Sequence, residues 1–205
     1  MIRLLVAEDH AVVRVGVTTI VNKQKDMKVI AEAADGAEAV EMYKEHRPDI
    51  ALLDLRMPVM SGIDAILAIR SEFPAARTIA LTSYGGDADI RRALKAGVQA
   101  YLTKDLLQNE LLTAIRVVHK GETYVPASLA SVLSAQAARP DLTPRELQIL
   151  ELVVRGFVNK QIAFSLNLSE FTVKNHMKRL LGKLGVQDRT QAATVAIERG
   201  IIHLS

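Results

Sequence analysis

Apolar residues fall along this chain in two rhythms. Over the first 120 positions, short unbroken apolar runs alternate with stretches in which apolar residues recur every three or four positions. The runs Ile2–Ala7, Met27–Ala33, Ile50–Leu53, Thr78–Thr82 and Ala100–Thr103 predict strands. The stretches Ala11–Asn22, Ala37–His46, Gly62–Phe73, Ala88–Ala96 and Asn109–Lys120 predict helices. Ile50-Ala51-Leu52-Leu53 has no polar alternation, as expected of a strand buried on both faces of a parallel sheet. Five strand–helix repeats predict a doubly wound α/β domain built on a five-stranded parallel sheet. Ligands of such folds bind beyond the carboxyl ends of the strands.

From residue 141 only the helical rhythm remains. Thr143-Pro144-Arg145-Glu146 supplies an N-cap, a proline at the first helical position and a capping-box Glu. That helix is expected to end near Gly156, where glycine accepts the left-handed conformation. Asn159 is expected to cap a short second helix stopping near Asn167. Ser169 caps a third reaching about Leu184, and Asp188 with Gln191 caps a fourth ending at Gly200. A short helix followed closely by a longer one is a helix-turn-helix pattern. Residues 121–140, with Gly121, Pro126, Pro140, Ser128, Ser131 and Ser134, read as a linker, part of it helical. The domains are therefore expected at 1–120 and 141–205, the second a small four-helix all-α unit.

Composition narrows the chemistry. The 205 residues include no Cys, which excludes disulfides, thiolate zinc sites and cysteine nucleophiles. No apolar run approaches a membrane span, and the first run meets Glu8-Asp9 too early for a signal peptide. A cytoplasmic protein without a membrane partner is expected. Charge is uneven: residues 1–118 carry a net −1, residues 119–140 a net +1 and residues 141–205 a net +3. The basic C-terminal third suggests an anionic partner.

Glu8 and Asp9 follow the first predicted strand, and Asp54 ends the third. In strand order 2-1-3-4-5 these strands are neighbours, and the carboxylates converge. Converging carboxylates repel unless a cation sits among them, and an all-oxygen donor set suits Mg²⁺. This assigns His10 to the start of the first helix rather than to the metal. Thr82 ends the fourth strand and Lys104 follows the fifth, adding a hydroxyl and a cation at the same rim. Together these groups suit phosphoryl transfer, with Asp54 as nucleophile while metal and Lys104 neutralise the phosphoryl oxygens.

Val6-Ala7-Glu8-Asp9-His10, Leu52-Leu53-Asp54-Leu55-Arg56-Met57-Pro58, Ala80-Leu81-Thr82-Ser83 and Ala100-Tyr101-Leu102-Thr103-Lys104 resemble the flavodoxin-like receiver domain of two-component response regulators. The resemblance implies that Asp54 is the phosphoacceptor. It implies that Glu8, Asp9, Asp54 and the backbone carbonyl of Arg56 hold Mg²⁺. Thr82 and Tyr101 look like the switch pair, and Lys104 like the phosphate-sensing lysine. The bulk of Ser83 and Tyr84 beside the site is expected to bear on phosphoryl lifetime.

On a helix from Ser169 to Leu184, Val173, Met177, Leu180, Leu181 and Leu184 share an inward face. Phe171, Thr172, Asn175, Lys178 and Arg179 lie on or near the opposite face, with Lys174 at the flank. An apolar stripe with Lys, Asn and Arg opposite fits insertion into a major groove, where Asn can pair with adenine and Lys can reach guanine. The same pattern also describes an ordinary amphipathic helix with a solvated basic side. Leu142-Thr143-Pro144-Arg145-Glu146, Asn159-Lys160-Gln161-Ile162-Ala163, Ser169-Glu170-Phe171-Thr172-Val173-Lys174-Asn175-His176 and Leu181-Gly182-Lys183-Leu184-Gly185-Val186 resemble the LuxR-type helix-turn-helix domain. Receiver plus this domain is the layout of NarL/FixJ-type response regulators. The resemblance implies base-reading or groove positions at Lys174, Asn175 and Lys178, and phosphate contacts at Thr172, Lys160 and Arg179. Phe171 stands where a polar or charged residue is usual. It can touch a thymine methyl, pack on the receiver, or shield the helix start, and the last two together are favoured.

The function expected is a phosphorylation-switched transcription regulator, not an enzyme. A sensor histidine kinase phosphorylates Asp54, and a homodimer, phosphorylated or DNA-bound, reads half-sites on double-stranded DNA. Two rivals are weaker. An aspartyl phosphatase would want a second Asp two residues after the nucleophile, where this chain has Arg56. A phosphorylation-independent regulator would not need the acid cluster, Thr82 and Lys104.

Overall fold

The structure, a computed structural model, describes residues 1–83, 87–126 and 142–202. The chain divides into two compact units. The first alternates β1 (Ile2–Ala7), α1 (Ala11–Asn22), β2 (Met27–Ala33), α2 (Gly36–His46), β3 (Ile50–Asp54), α3 (Gly62–Glu72), β4 (Thr78–Thr82), α4 (Asp87–Lys95), β5 (Ala100–Thr103) and α5 (Leu107–His119). The strands form one parallel sheet in the order β2-β1-β3-β4-β5. Every residue of β3, β4 and β5 is buried. The unbroken apolar runs in these three strands have this cause: helices cover both faces, so none of their positions meets water, whereas Arg3 of β1 and Lys28 and Glu32 of the edge strand β2 are exposed.

Side chains alternate across the sheet. Ile2, Leu4 and Val6 of β1, Ile50 and Leu52 of β3 and Ile79 and Leu81 of β4 pack with Val17 and Val21 of α1 and Leu111, Ile115 and Val118 of α5. The intervening Leu5, Ala7, Ala51, Leu53, Ala80 and Tyr101 are completely buried on the other face. Local chemistry fixes where the helices begin. The Asp35 side chain accepts from the Glu38 amide and starts α2 one residue earlier than the apolar spacing predicts. Ser61 accepts from the Asp64 amide and starts α3. Helix α5 begins two residues before its expected start, at Leu107, whose side chain joins the core.

Part of the expected linker packs with this unit. The Tyr124 amide donates to the Gln99 carbonyl at 2.8 Å, Tyr124 bridges Ala100, and its hydroxyl donates to Glu110 Oε2 at 3.0 Å. The remainder of that stretch, with its expected helical part, lies outside the described residues, as does Tyr84.

The second unit contains α6 (Pro144–Val154), α7 (Asn159–Ser165), α8 (Glu170–Leu184) and α9 (Arg189–Glu198). Thr143 and Glu146 form the expected capping box: Glu146 N donates to Thr143 Oγ1 at 3.3 Å, and Thr143 N donates to Glu146 Oε2 at 2.8 Å. Gly156 follows α6 with φ 87° and Asn167 follows α7 with φ 53°, so both stops lie where the sequence places them. The start of α7 differs. Val158 holds the N-cap position and Asn159 is the first helical residue. The Gln161 side chain accepts from the Val158 amide at 2.9 Å and performs the capping assigned to Asn159. Ile149, Leu150, Ile162, Val173, Leu180, Ala192 and Ala196 form the centre of this unit's core.

Candidate functional site

Parallel strands end on the same side of the sheet, so residues at their carboxyl ends meet. Glu8 and Asp9 follow β1, Asp54 closes β3, Thr82 closes β4 and Lys104 follows β5. Glu8, Asp54 and Thr82 are buried, and Lys104 is mostly buried. Lys104 Nζ lies 2.8 Å from Asp54 Oδ2 and 2.7 Å from Glu8 Oε2, so one ammonium bridges two buried carboxylates. The backbone holds it there: the Lys104 amide donates to the Thr82 carbonyl at 2.7 Å. The amide of Arg56 donates to Asp54 Oδ1 at 3.2 Å, which brings the Arg56 backbone against the same carboxylate. Tyr101, on the strand beside that of Thr82, is fully buried.

The electrostatics follow from this crowding. Burial pushes the Asp54 carboxyl above its ordinary value, the Lys104 hydrogen bond works against that, and the nearby Glu8 charge adds to it. Burial works against the Lys104 charge, but Asp54 and Glu8 together outweigh it and raise its pKa.

His10 is the one residue the sequence reading kept apart from this cluster and the structure brings into it. It occupies the N-cap position of α1, as expected, but its side chain caps nothing. Its Nδ1 lies 2.8 Å from Asp9 Oδ1 and 3.1 Å from Glu8 Oε1, and the hydrogen bond to Asp9 leads the causes that raise its pKa. Ligand atoms of Glu8, Asp9, His10 and Asp54 all lie within 4.8 Å of one another. Three carboxylates around one point make an oxygen-dominated set, which fits a hard divalent cation such as Mg²⁺. The preference of Mg²⁺ for oxygen donors set His10 apart from the acids in the sequence, and a side chain's turn back toward the preceding residues has no signal in the pattern.

A second candidate surface lies on α8. Ser169 caps it, accepting from the Thr172 amide at 3.1 Å. Val173, Met177, Leu180 and Leu184 are buried, as the spacing predicts, and Leu181 is half-buried. Phe171, Lys174, Asn175, Lys178 and Arg179 are exposed. Thr172 is half-buried, with its Oγ1 2.8 Å from Ser169 Oγ, so it belongs to the cap as much as to the outer face. Lys160 is exposed near the start of α7. The helix is anchored at its far end by Lys183, whose Nζ lies 2.7 Å from the buried Glu146 carboxylate of α6. Among the described residues no helix is long and apolar enough to cross a membrane.

Comparison with known proteins places both surfaces in context. Residues 4–116 match the family model described as response regulator receiver domain, and residues 140–196 match bacterial regulatory proteins, luxR family. The chain is 35% identical over 206 residues to the response regulator protein VraR of Staphylococcus aureus, covering 98% of this chain and 99% of that one. It is similar to RcsB from Salmonella enterica serovar Typhimurium bound to promoter P1flhDC in the presence of phosphomimetic BeF3⁻, with TM-score 0.75, 25% identity, and 96% and 98% of the two chains covered. A structure of two RcsB dimers bound to two parallel DNAs gives TM-score 0.72 at 25% identity and the same coverage.

Proposed function

The chain belongs to the NarL/FixJ-type response regulators of two-component systems, which join a receiver domain to a LuxR-family regulatory domain, and from that membership we propose that phosphorylation of Asp54 switches its binding to DNA. The observation that carries the proposal is the ammonium of Lys104 held between Asp54 and Glu8 at the carboxyl end of the sheet. An Asp54 oxygen attacks the phosphorus of a phosphohistidine on a sensor histidine kinase. The new O–P bond forms as the P–N bond breaks, and the imidazole leaves. Glu8, Asp9, Asp54 and the Arg56 carbonyl would hold Mg²⁺, which when bound neutralises charge on the phosphoryl oxygens. Lys104 gives up its contact with Asp54 and pairs with the phosphoryl group instead.

The added charge draws the Thr82 hydroxyl toward it, and Tyr101 behind Thr82 completes the switch pair. Domains at 1–120 and 141–205 are joined by the stretch 121–140, whose Tyr124 packs on the first unit, and the join leaves room for rearrangement. Phosphorylation biases an equilibrium between a closed and a DNA-competent form; moving it from 1:99 to 99:1 takes about 5.5 kcal/mol. In the DNA-competent form α8 enters the major groove. Lys174, Asn175 and Lys178 face the bases, and Thr172, Lys160 and Arg179 meet phosphates. A homodimer pairs two such helices on half-sites of double-stranded DNA, as the RcsB dimers on DNA suggest by analogy. The exposed Val12 and Val15 on α1, beside the acid cluster, give the kinase an apolar surface to dock against. Asp54 is an acceptor and not a turnover catalyst, because Arg56 stands where an aspartyl phosphatase would carry its acid–base. The protein acts in the cytoplasm.

The test is phosphorylation by acetyl phosphate of the wild type and Asp54→Asn, with Mg²⁺ and with EDTA. Intact mass should show one added phosphoryl group in the wild type with Mg²⁺ alone, together with tighter binding to a selected DNA duplex. Addition to Asp54→Asn at the same rate would refute the assignment.

A further inference from the structure

The outward strip of α8 is not uniformly polar. Phe171, Asn175, Lys178 and Gly182 follow one another at steps of four, three and four, so they line one face of the helix. Phe171 is 73% exposed and takes no part in the core of its own unit. The ring therefore does not shield the helix start, one of the two roles favoured from sequence. It stands at the N-terminal end of the strip on which Asn175 and Lys178 were assigned to base edges. In helix-turn-helix proteins it is the N-terminal residues of this helix that contact bases.

We propose that Phe171 is a specificity-determining residue whose ring contacts the C5 methyl of a thymine at the edge of each half-site. The inference rests on the reading of α8 as the groove helix and goes beyond it. Asn175 and Lys178 can satisfy hydrogen-bonding edges, but a phenyl ring has no donor or acceptor to offer. In the major groove only thymine presents an apolar group, so it is the base on which a ring at this place gains rather than loses. Phe171 thus adds to the strip a preference that its polar members cannot supply.

The experiment uses the full chain phosphorylated with acetyl phosphate and duplexes selected from a library with 30 random base pairs. Each thymine of the selected duplex is replaced singly by uracil, which removes one methyl and leaves every hydrogen-bonding group in place. The wild type should lose about 3–10-fold in affinity at one position in each half-site, the effect of one buried methyl contact. Phe171→Ala should bind the thymine duplex more weakly by a similar factor and be indifferent to uracil at that position. Phe171→Leu should retain part of the thymine preference. Because the ring is exposed, both variants should melt at the wild-type temperature, which separates loss of contact from loss of fold.

A wild type indifferent to every uracil, or a Phe171→Ala protein with the wild-type thymine-to-uracil ratio, overturns the proposal. So does tighter DNA binding by unphosphorylated Phe171→Ala with an unchanged ratio, which would mean that the ring packs against protein. Failure of the underlying reading looks different: the library yields no enriched sequence, or Asn175→Ala and Lys178→Ala select the wild-type motif. The thymine contact then falls with it.

Discussion

Gly62 lies directly against the main chain of Asp54. Its amide donates to the Leu55 carbonyl at 3.1 Å, and a methyl group added to its α-carbon would sit 2.8 Å from the Asp54 carbonyl carbon and 2.9 Å from the Leu55 α-carbon. Both neighbours are backbone, so neither can swing aside as a side chain would. Gly62→Ala must push α3 away from β3 or displace Asp54. Overpacking of this kind costs about 1–3 kcal/mol. The expected outcome is a lower urea midpoint and slower phosphorylation by acetyl phosphate. Unchanged values of both would show that the loop absorbs the methyl group.

Lys104 compensates two carboxylates that water barely reaches. Lys104→Met leaves Glu8 and Asp54 facing each other with their shared cation removed. Breaking a buried pair by deleting one partner costs about 3–5 kcal/mol. The variant should lose stability of that order in EDTA, and millimolar Mg²⁺ should restore much of it by supplying a countercharge. Urea titrations with and without Mg²⁺ measure both parts. A loss that Mg²⁺ does not relieve would place the effect in packing of the lysine stem.

Glu146 gives the second unit a dependence on acid. Burial works to raise its pKa, but the hydrogen bonds from Lys183 and Thr143 outweigh burial and lower it from the ordinary value of 4.5. A carboxyl with a depressed folded-state pKa binds more protons when unfolded. Its stabilisation is therefore fully present above pH 4.5 and is lost as pH falls through the lowered value. Glu146→Gln should cost about 2 kcal/mol at pH 7, the worth of hydrogen bonds to a charged group. The gap between the two proteins should narrow as pH falls below 4.5. Melting curves from pH 3 to 7 test this, and a constant gap would contradict the charged pairing.

The fold and the centre of the site were legible for one physical reason. Buried strands must be apolar throughout, and carboxylates at neighbouring strand ends must converge, so Glu8, Asp54 and Lys104 could be placed from strand order alone. Helix caps were legible where a recognisable pair stands at the helix start, as at Thr143 with Glu146 and Asp188 with Gln191, and at Ser169. They were less so where apolar spacing alone set the start, as at Asp35 before α2 and at Val158, to which Gln161 reaches back. What the pattern could not carry was side-chain direction. The turn of His10 toward Asp9 depends on one rotamer. Spacing placed Phe171 on the outer face; whether a neighbour covers it depends on packing in its own unit.

Lys160 and Asn175 divide the proposed DNA contact into two measurable kinds. Lys160 is exposed near the start of α7, apart from the outward strip of α8, and is assigned to a phosphate. A phosphate contact carries no sequence information, but it releases a condensed counterion. Lys160→Ala should weaken binding by the same factor on every duplex and reduce the slope of log affinity against log salt by about 0.9 for each subunit bound, about 1.8 for the homodimer. Asn175 is assigned to a base edge. Asn175→Ala should leave the salt slope unchanged and relax discrimination at one position of each half-site by about 1–3 kcal/mol. Affinities over a range of salt, on the selected duplex and on single-base variants of it, separate the two. If Asn175→Ala changed the slope and Lys160→Ala changed the preferred sequence, the assignments would be reversed, and α7 rather than α8 would lie deeper in the groove.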